Sequence, residues 1–563
     1  MGHPAKFIPL ANHGMLKLAT TIKNPGEPDV ESRYHDAAEL KALGYTGRVL
    51  FETTGLSGVT SPEVVKDVEL RRWIGQTQDA VTRKVEAQHA AGLDVYLFYD
   101  LLVLPADLVD RNVMGLTCKH RPDTLCPASD TVFRQALEGL DAMLRRWPDV
   151  AGVVLRFGDT DAQRLPHLVG NDLYTPHCPR CSQFGRADRV VHALKQAHGL
   201  VVEKHNKRLI ARAWNVRPGG MHDAADLAER IASRLPGDPA DDRFVLSFKF
   251  TQTDFWRYQP WNPASLVCGG RPILYELQCQ REFEGKGGVP NWQVPLWRDG
   301  YPESAEASAV SGLARAAGTV NFAGLFAWVR GGGWGGPFVK DETWIDANVF
   351  AVPRLADDPA ADPEAIARDW VAKRLEIKDP DVAESVVRIL VASPELARRA
   401  FYLGPFAQQK ADPWHPAADW IQDDLLDASS AWRMVQRIPE ADLDRLVAEK
   451  DEAVKGVSAG RRDLQAIAGA KPGPGLDRII NTLLYTESLF EALRDLLSGL
   501  VAYRRFQKSK GDADADTARR KLFAAQSHWN HHTQRHGSAP GTATPFREAR
   551  FWELTQDILA ELE

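Results

Sequence analysis

Four charged side chains interrupt stretches that are otherwise apolar. They are Arg156 in Val-Val-Leu-Arg-Phe, Arg212 in Leu-Ile-Ala-Arg-Ala-Trp, Lys249 in Leu-Ser-Phe-Lys-Phe and Glu276 in Leu-Tyr-Glu-Leu. A charge in such a setting is costly unless it is paired or used. In an extended strand, residues two apart share a face. Lys249 sits between Phe248 and Phe250, and Glu276 between Tyr275 and Leu277, so each strand has one apolar side and one that presents a charge. Further carboxylates lie just downstream: Asp159 and Asp161 after Arg156, and Asp254 after Lys249. Three cations and at least three carboxylates gathered at one rim suit a polar, anionic ligand. Hydrolysis of a glycosidic bond needs two carboxyl groups, one to protonate the leaving oxygen and one to activate water or attack carbon. Asp159, Asp254 and Glu276 can fill both roles. A structural ion-pair network is the competing explanation of the same charges.

The elements that would position these residues follow from hydrophobic patterning. Eight short apolar, β-rich runs alternate with amphipathic stretches: Leu16–Ile22, Arg48–Thr54, Asp94–Leu102, Gly152–Gly158, Arg208–Trp214, Arg243–Thr251, Pro272–Gln280 and Phe322–Val329. Most are continuous rather than alternating, as strands covered on both faces should be. Helical patterns fall at Tyr34–Leu43, Thr131–Trp147, Arg186–His205, Asp223–Leu235 and Ser304–Ala317. The prediction is an α/β fold, a (β/α)8 TIM barrel over residues 1–355 followed by an all-α C-terminal domain over 356–563. A doubly wound open sheet fits less well, because no Gly-rich phosphate turn follows the first strand. In such a barrel, function collects at the C-terminal ends of the strands. Strands two and three end near Glu52 and Asp100, and strands four to seven carry the charges named above.

Beyond about residue 355, strand signals give way to helical periodicity at Pro363–Arg374, Asp381–Val391, Pro394–Phe401, Glu440–Ala468, Asp477–Gln507 and Phe546–Glu563. Lys510–Asp516 reads as a solvated loop. The Leu and Ile spacing in Asp477–Gln507 is core or dimer-contact patterning, and a homodimer through the helical domain is a further expectation. His528, His531, His532 and His536 read as a surface feature.

The chain resembles the α-glucuronidases of glycoside hydrolase family 67 from about Ala91 to Arg374. The likeness rests on Lys249 followed five residues later by Asp254-Phe, on Leu274-Tyr-Glu276-Leu-Gln-Cys-Gln-Arg-Glu-Phe, and on Trp344-Ile-Asp-Ala-Asn348-Val-Phe-Ala-Val-Pro-Arg354. The segments around Arg156 and Arg212 are similar to the family's strands four and five. The resemblance implies an inverting, exo-acting enzyme that releases an α-linked glucuronic acid or related uronic sugar. It implies that Asp254 and Glu276 activate water and that Arg156, Arg212 and Lys249 hold the sugar carboxylate. The family's general acid is a Glu in the loop after strand four. This chain has none there, so Asp159 takes that role, with Asp161 as second choice. Strand four carries Arg where the family has Lys. The family's N-terminal accessory β domain is expected to be absent, since strand one begins near Leu16. Trp214, Trp256, Trp334 and Trp344 are candidates for stacking on sugar rings, and Asn348, Arg330 and His167 for bonds to hydroxyls. Gly331–Gly336 would let backbone approach the ligand. Two alternatives stay open: a glycosidase of the same architecture acting on a neutral or amino sugar, and a non-catalytic carbohydrate-binding barrel.

Composition narrows the class. The 563 residues exceed one ordinary core, and 44% hydrophobic with 26% charged residues is typical of a globular protein. A net charge of -6 offers no basic field, so no nucleic-acid partner is expected. No apolar run of about 18 residues appears, so no membrane span is expected. Met-Gly-His-Pro-Ala-Lys at the start shows no apolar signal region, which suits a soluble protein of cytoplasm or periplasm. No cofactor and no metal are assigned to the catalytic site. Cys178-Pro-Arg-Cys181, with Cys118 and Cys126 in the preceding βα loop, reads as thiols or a disulfide, with a structural metal as the alternative.

Overall fold

The computed structural model describes residues 14–22, 31–110, 115–119, 121–160, 167–331, 339, 341–409, 420–422, 425–470, 474–537 and 541–563. Eight strands close into a parallel barrel: β1 (Leu16–Thr21), β2 (Gly47–Leu50), β3 (Asp94–Asp100), β4 (Gly152–Gly158), β5 (Arg208–Asn215), β6 (Phe244–Lys249), β7 (Pro272–Gln278) and β8 (Asn321–Arg330). Each pairs with its neighbours in chain order, and β8 closes the ring against β1. All seven residues of β3, β4 and β7 are buried. That is why these strands read as continuous apolar runs. The barrel fills one side of them and the helices cover the other.

Several helices begin where the sequence provides caps. Ser129 Oγ accepts from Val132 N ahead of the helix Asp130–Arg146. Asp362 and Asp379 each cap a helix that opens on proline, Pro363–Arg374 and Pro380–Phe401. The structure departs from the sequence-based expectation in several places. The helix Val68–Ala90 was not anticipated; its buried residues are only Ile74, Val81, Val85 and Gln88, too narrow a stripe to stand out. The helix expected over Ser304–Ala317 is reduced to a 3₁₀ turn at Pro302–Ala307 and one turn at Leu313–Ala316. The two helices expected on either side of Pro394 are one. Proline has no N–H, and the Leu390 carbonyl that would lose its partner accepts instead from Ser393 Oγ at 2.6 Å.

The C-terminal region is helical, apart from a three-stranded ribbon made of Ile421–Gln422, Leu425–Asp427 and Arg547–Ala549. Lys510–Asp516 is not a loop throughout: a helix starts at Asp512 and runs to His536. Its first turn combines alanines with Asp512 and Asp514, which favour a helix N-terminus. Of its four histidines, His531 is exposed as expected and His528 is half-buried, but His532 and His536 are not a surface feature. His532 and His536 are buried against the helix Pro474–Ser509, where both meet Ser488 Oγ, and His528 bonds Asp495. The helix Thr343–Asp357 spans residue 355 and joins the two regions. Trp344 Nε1 donates to Thr482, Arg257 Nη1 donates to the Pro394 carbonyl, and the Tyr402 hydroxyl donates to Glu284. No helix among the described residues is long and apolar enough to cross a membrane.

Candidate active site

Strand register sets out the site before any side chain is considered. Asp100 lies opposite Arg156, Arg156 opposite Arg212, and Arg212 opposite Ser247. Two residues further along β6, Lys249 lies opposite Glu276. Paired residues in neighbouring parallel strands share a face, as do residues two apart. All six therefore sit on one face of the barrel wall near the C-terminal ends of β3 to β7.

Their contacts form a connected set. Arg156 grips Asp100 with two parallel bonds, at 2.6 and 2.7 Å, and lies 3.3 Å from Asp159. Burial pulls the Arg156 guanidinium down, and Asp100 and Asp159 more than reverse this, so its pKa lies above the ordinary arginine value. Arg212 Nε reaches both oxygens of Glu276 at 3.0 Å, and its Nη1 lies 3.7 Å from Asp159. Ser247 Oγ donates to Glu276 at 2.9 Å. One guanidinium thus spans two of the three carboxylates expected to react. Glu276 is fully buried, whereas Asp159 and Asp254 keep 13% and 21% side-chain exposure, which places them at the opening.

The third carboxylate arrives by a different route. Asp254 has φ +35° and Phe255 φ +60°, both in the left-handed region that non-glycine residues avoid. This tight turn folds the chain back so that Asp254 pairs with Lys249, five residues earlier. Such backbone costs about 1–3 kcal/mol per residue and persists where surrounding structure holds it. Lys249 Nζ also lies over three rings, Trp214 at 3.7 Å, Phe255 at 4.6 Å and Trp328 at 5.1 Å. His222 packs edge-on against Trp214, and its Nε2 donates to the Thr251 carbonyl at 3.1 Å; burial, then Lys249 and Arg212, hold its pKa well below the usual value.

Two atoms in this set lack hydrogen-bond partners among the described residues, although both are buried. They are Arg212 Nη2 and Asp159 Oδ1. A buried donor or acceptor left unpaired costs about 1–3 kcal/mol. Arg212 Nη2 is a donor with capacity for a ligand, whereas Asp159 Oδ1 is the oxygen that lies 3.3 Å from Arg156 Nε.

The structure brings Asp159, Asp254, Glu276, Arg156, Arg212, Lys249 and Trp214 together. It does not bring the other expected residues to them as free ligand-binding groups. Trp256 is buried and stacked on Phe283 at 4.0 Å, so its face is covered. Trp344 is buried and bonded to Thr482. Asn348 binds the carbonyls of Cys279 and Asn291 and accepts from Gln293 N, which commits its amide to the protein. Arg330 pairs with Glu342 and the Val339 carbonyl. His167 is buried, with Nε2 3.1 Å from the Gly55 carbonyl and its ring against Trp73. Trp334 and Asp161 lie outside the described residues. Five participants were not singled out as site residues: Asp100, Ser247, His222, Phe255 and Trp328, whose ring lies 4.8 Å from the Arg212 guanidinium carbon. Period-two spacing was the available signal for Ser247, which precedes Lys249 by two residues.

This geometry can be set beside known proteins. No protein-family model matches the chain. Alpha-glucuronidase A of Emericella nidulans is 23% identical over 286 residues, 48% of this chain and 31% of the relative. Alpha-glucuronidase of Hypocrea jecorina is 22% identical over 289 residues, 48% of this chain and 30% of the relative. The chain is thus weakly similar to two alpha-glucuronidases over about half of its length. The match spans about a third of the length of these relatives. A solved structure described as a GH138 enzyme targeting pectin rhamnogalacturonan II superposes with a TM-score of 0.55 at 12% identity, over 97% of this chain and 67% of the other. That likeness concerns the fold, a barrel followed by a helical region.

Proposed function

We propose that the chain is a glycoside hydrolase that removes an α-linked uronic acid from the end of a saccharide by single displacement. The observation that carries this reading is the convergence of Asp159, Asp254 and Glu276 with Arg156, Arg212 and Lys249 on one face of the barrel mouth. Asp159, at the opening with 13% side-chain exposure, is the group assigned to protonate the leaving glycosidic oxygen. Asp254 and Glu276 orient and deprotonate the attacking water. The unpaired Arg212 Nη2 and the Lys249 ammonium receive the sugar carboxylate, and Trp214 borders the ring site. The named similarity to two alpha-glucuronidases supports the same substrate class.

The test uses aryl α-glucuronides beside matched substrates whose carboxyl is reduced to an alcohol. Uronide turnover is expected, with the reduced substrate much slower. NMR should show the β anomer as first product, the outcome of inversion. Asp159→Asn and Glu276→Gln should each lower kcat by about 10²–10⁴. Equal turnover of both substrates would refute the uronic-acid assignment. A lack of turnover on every glycoside, with saccharide binding retained, would favour a binding barrel.

A further inference from the structure

A second cluster lies apart from the carboxylates. Cys118 lies in, and Cys126 directly follows, a hairpin of Thr117–Cys118 with Arg121–Leu125, in the loop between β3 and the helix Asp130–Arg146. Cys178 and Cys181 belong to the loop between β4 and the helix Arg186–His198. All four are buried, and their sulfurs lie within 4.8 Å of one another. We infer that these four thiolates form a structural zinc site that staples the third and fourth βα loops of the barrel together.

The distances decide between a disulfide and a metal. Cys178 and Cys181 sulfurs are 3.5 Å apart, Cys126 and Cys178 3.8 Å, and Cys118 and Cys181 4.0 Å. A disulfide needs about 2.05 Å, and no disulfide is formed by these cysteines. Sulfurs placed tetrahedrally at about 2.3 Å from a zinc ion sit about 3.8 Å from one another. The Cys178-Pro-Arg-Cys181 spacing is that of a close ligand pair. The backbone N–H groups of His177 and Cys178 both donate to Cys181 Sγ, at 3.1 and 3.2 Å. Such donors orient a ligating thiolate and lower its charge density. Four thiolates around a divalent ion carry a net charge of about −2. Arg189 Nη1 bonds the Cys181 carbonyl, and Arg180 Nη2 bonds the Gly115 carbonyl, which sets two positive charges beside the cluster.

The cluster also has a line to the proposed acid. Asn171 Nδ2 donates to the Leu125 carbonyl, next to Cys126, and the Asn171 carbonyl accepts from Thr160 Oγ1, next to Asp159. On the reading proposed above, the metal would fix the loop that carries Asp159. The metal site itself stands without that reading.

The test is elemental analysis of the purified full chain, with zinc as the only metal added. About one zinc per chain is expected, retained through gel filtration. It should be lost in Cys178→Ser and Cys126→Ser but kept in Cys268→Ser, whose sulfur lies outside the cluster. Should the serine variants fail to fold, the parent protein gives a second readout. Replacing zinc with cobalt should produce thiolate-to-cobalt charge-transfer absorption with tetrahedral d–d bands. A strong chelator should lower the midpoint of thermal unfolding by several degrees, and zinc should restore it. Zinc well below one equivalent, unchanged by the substitutions, would overturn the assignment. So would peptide mapping that finds these cysteines disulfide-bonded in the native protein.

Discussion

Arg212 is the residue on which the site turns. Its side chain is 1% exposed and it neutralises Glu276, which has no exposure at all. Removing one partner of such a pair leaves the other charge buried without compensation, which costs about 3–5 kcal/mol. Arg212→Ala should therefore lower the free energy of unfolding by that amount, measured by urea denaturation. Adding Glu276→Gln should recover much of the loss, because the orphaned charge is removed with its partner. If the two changes add instead, the pair is not the source of the effect. The residues that sequence placed in this site were those whose charge contradicted its surroundings. Those it misplaced, such as Trp256 and Asn348, were chosen for chemical type. A tryptophan or an asparagine fits equally well in a core, and nothing local to Trp256 announces the Phe283 ring that covers it.

At the scale of elements, two contacts lend themselves to measurement. Gly324 in β8 has φ +138°, and a Cβ there would fall 2.0 Å from the Leu16 carbonyl oxygen of β1, at the seam that closes the barrel. Gly324→Ala combines that clash with a strained backbone, so a loss of at least about 1–3 kcal/mol is expected in the same urea assay. The packing of the helix Asp512–His536 on the helix Pro474–Ser509 makes stability depend on pH. Burial, then the neighbouring His536 and His531, hold the His532 imidazole down to about 3, against 6.5 when unfolded. Between those values the unfolded chain binds the extra proton, so stability is full above pH 6.5 and falls as the pH drops. At pH 5 the loss from this group is about 2 kcal/mol. Comparing urea midpoints at pH 7.5 and 5.0 should show a smaller drop in His532→Asn than in the parent protein. An equal drop in both would place the pH dependence elsewhere.

At the scale of the whole molecule, the barrel and the helical region share a buried polar network. Tyr402 donates to Glu284 at 2.9 Å and accepts from Arg257 N at 3.1 Å, while Glu284 pairs with Arg281 and takes a bond from Asn291. Tyr402→Phe leaves Glu284 one donor short and Arg257 N without this acceptor, which costs about 1–3 kcal/mol. A single unfolding transition at lower urea is the expected result; two separate transitions would show that the regions are not coupled through this network.

By itself the sequence determined the eight barrel strands and the charged face they carry. Both follow from local rules: a strand buried on two sides must be apolar along its length, and a charge that breaks this rule marks itself. Helices with a wide apolar face, such as Asp130–Arg146, were equally plain, whereas the narrow stripe of Val68–Ala90 was not. Only the tertiary structure decided which cation meets which carboxylate, since Arg212 and Glu276 are 64 residues apart and meet only because the Arg212 side chain reaches across β6. The same holds for the four cysteines, which two loops separated by a helix and a strand bring within 4.8 Å of one another. Spacing along a chain fixes which side a residue faces, and closure of the barrel fixes what it finds there.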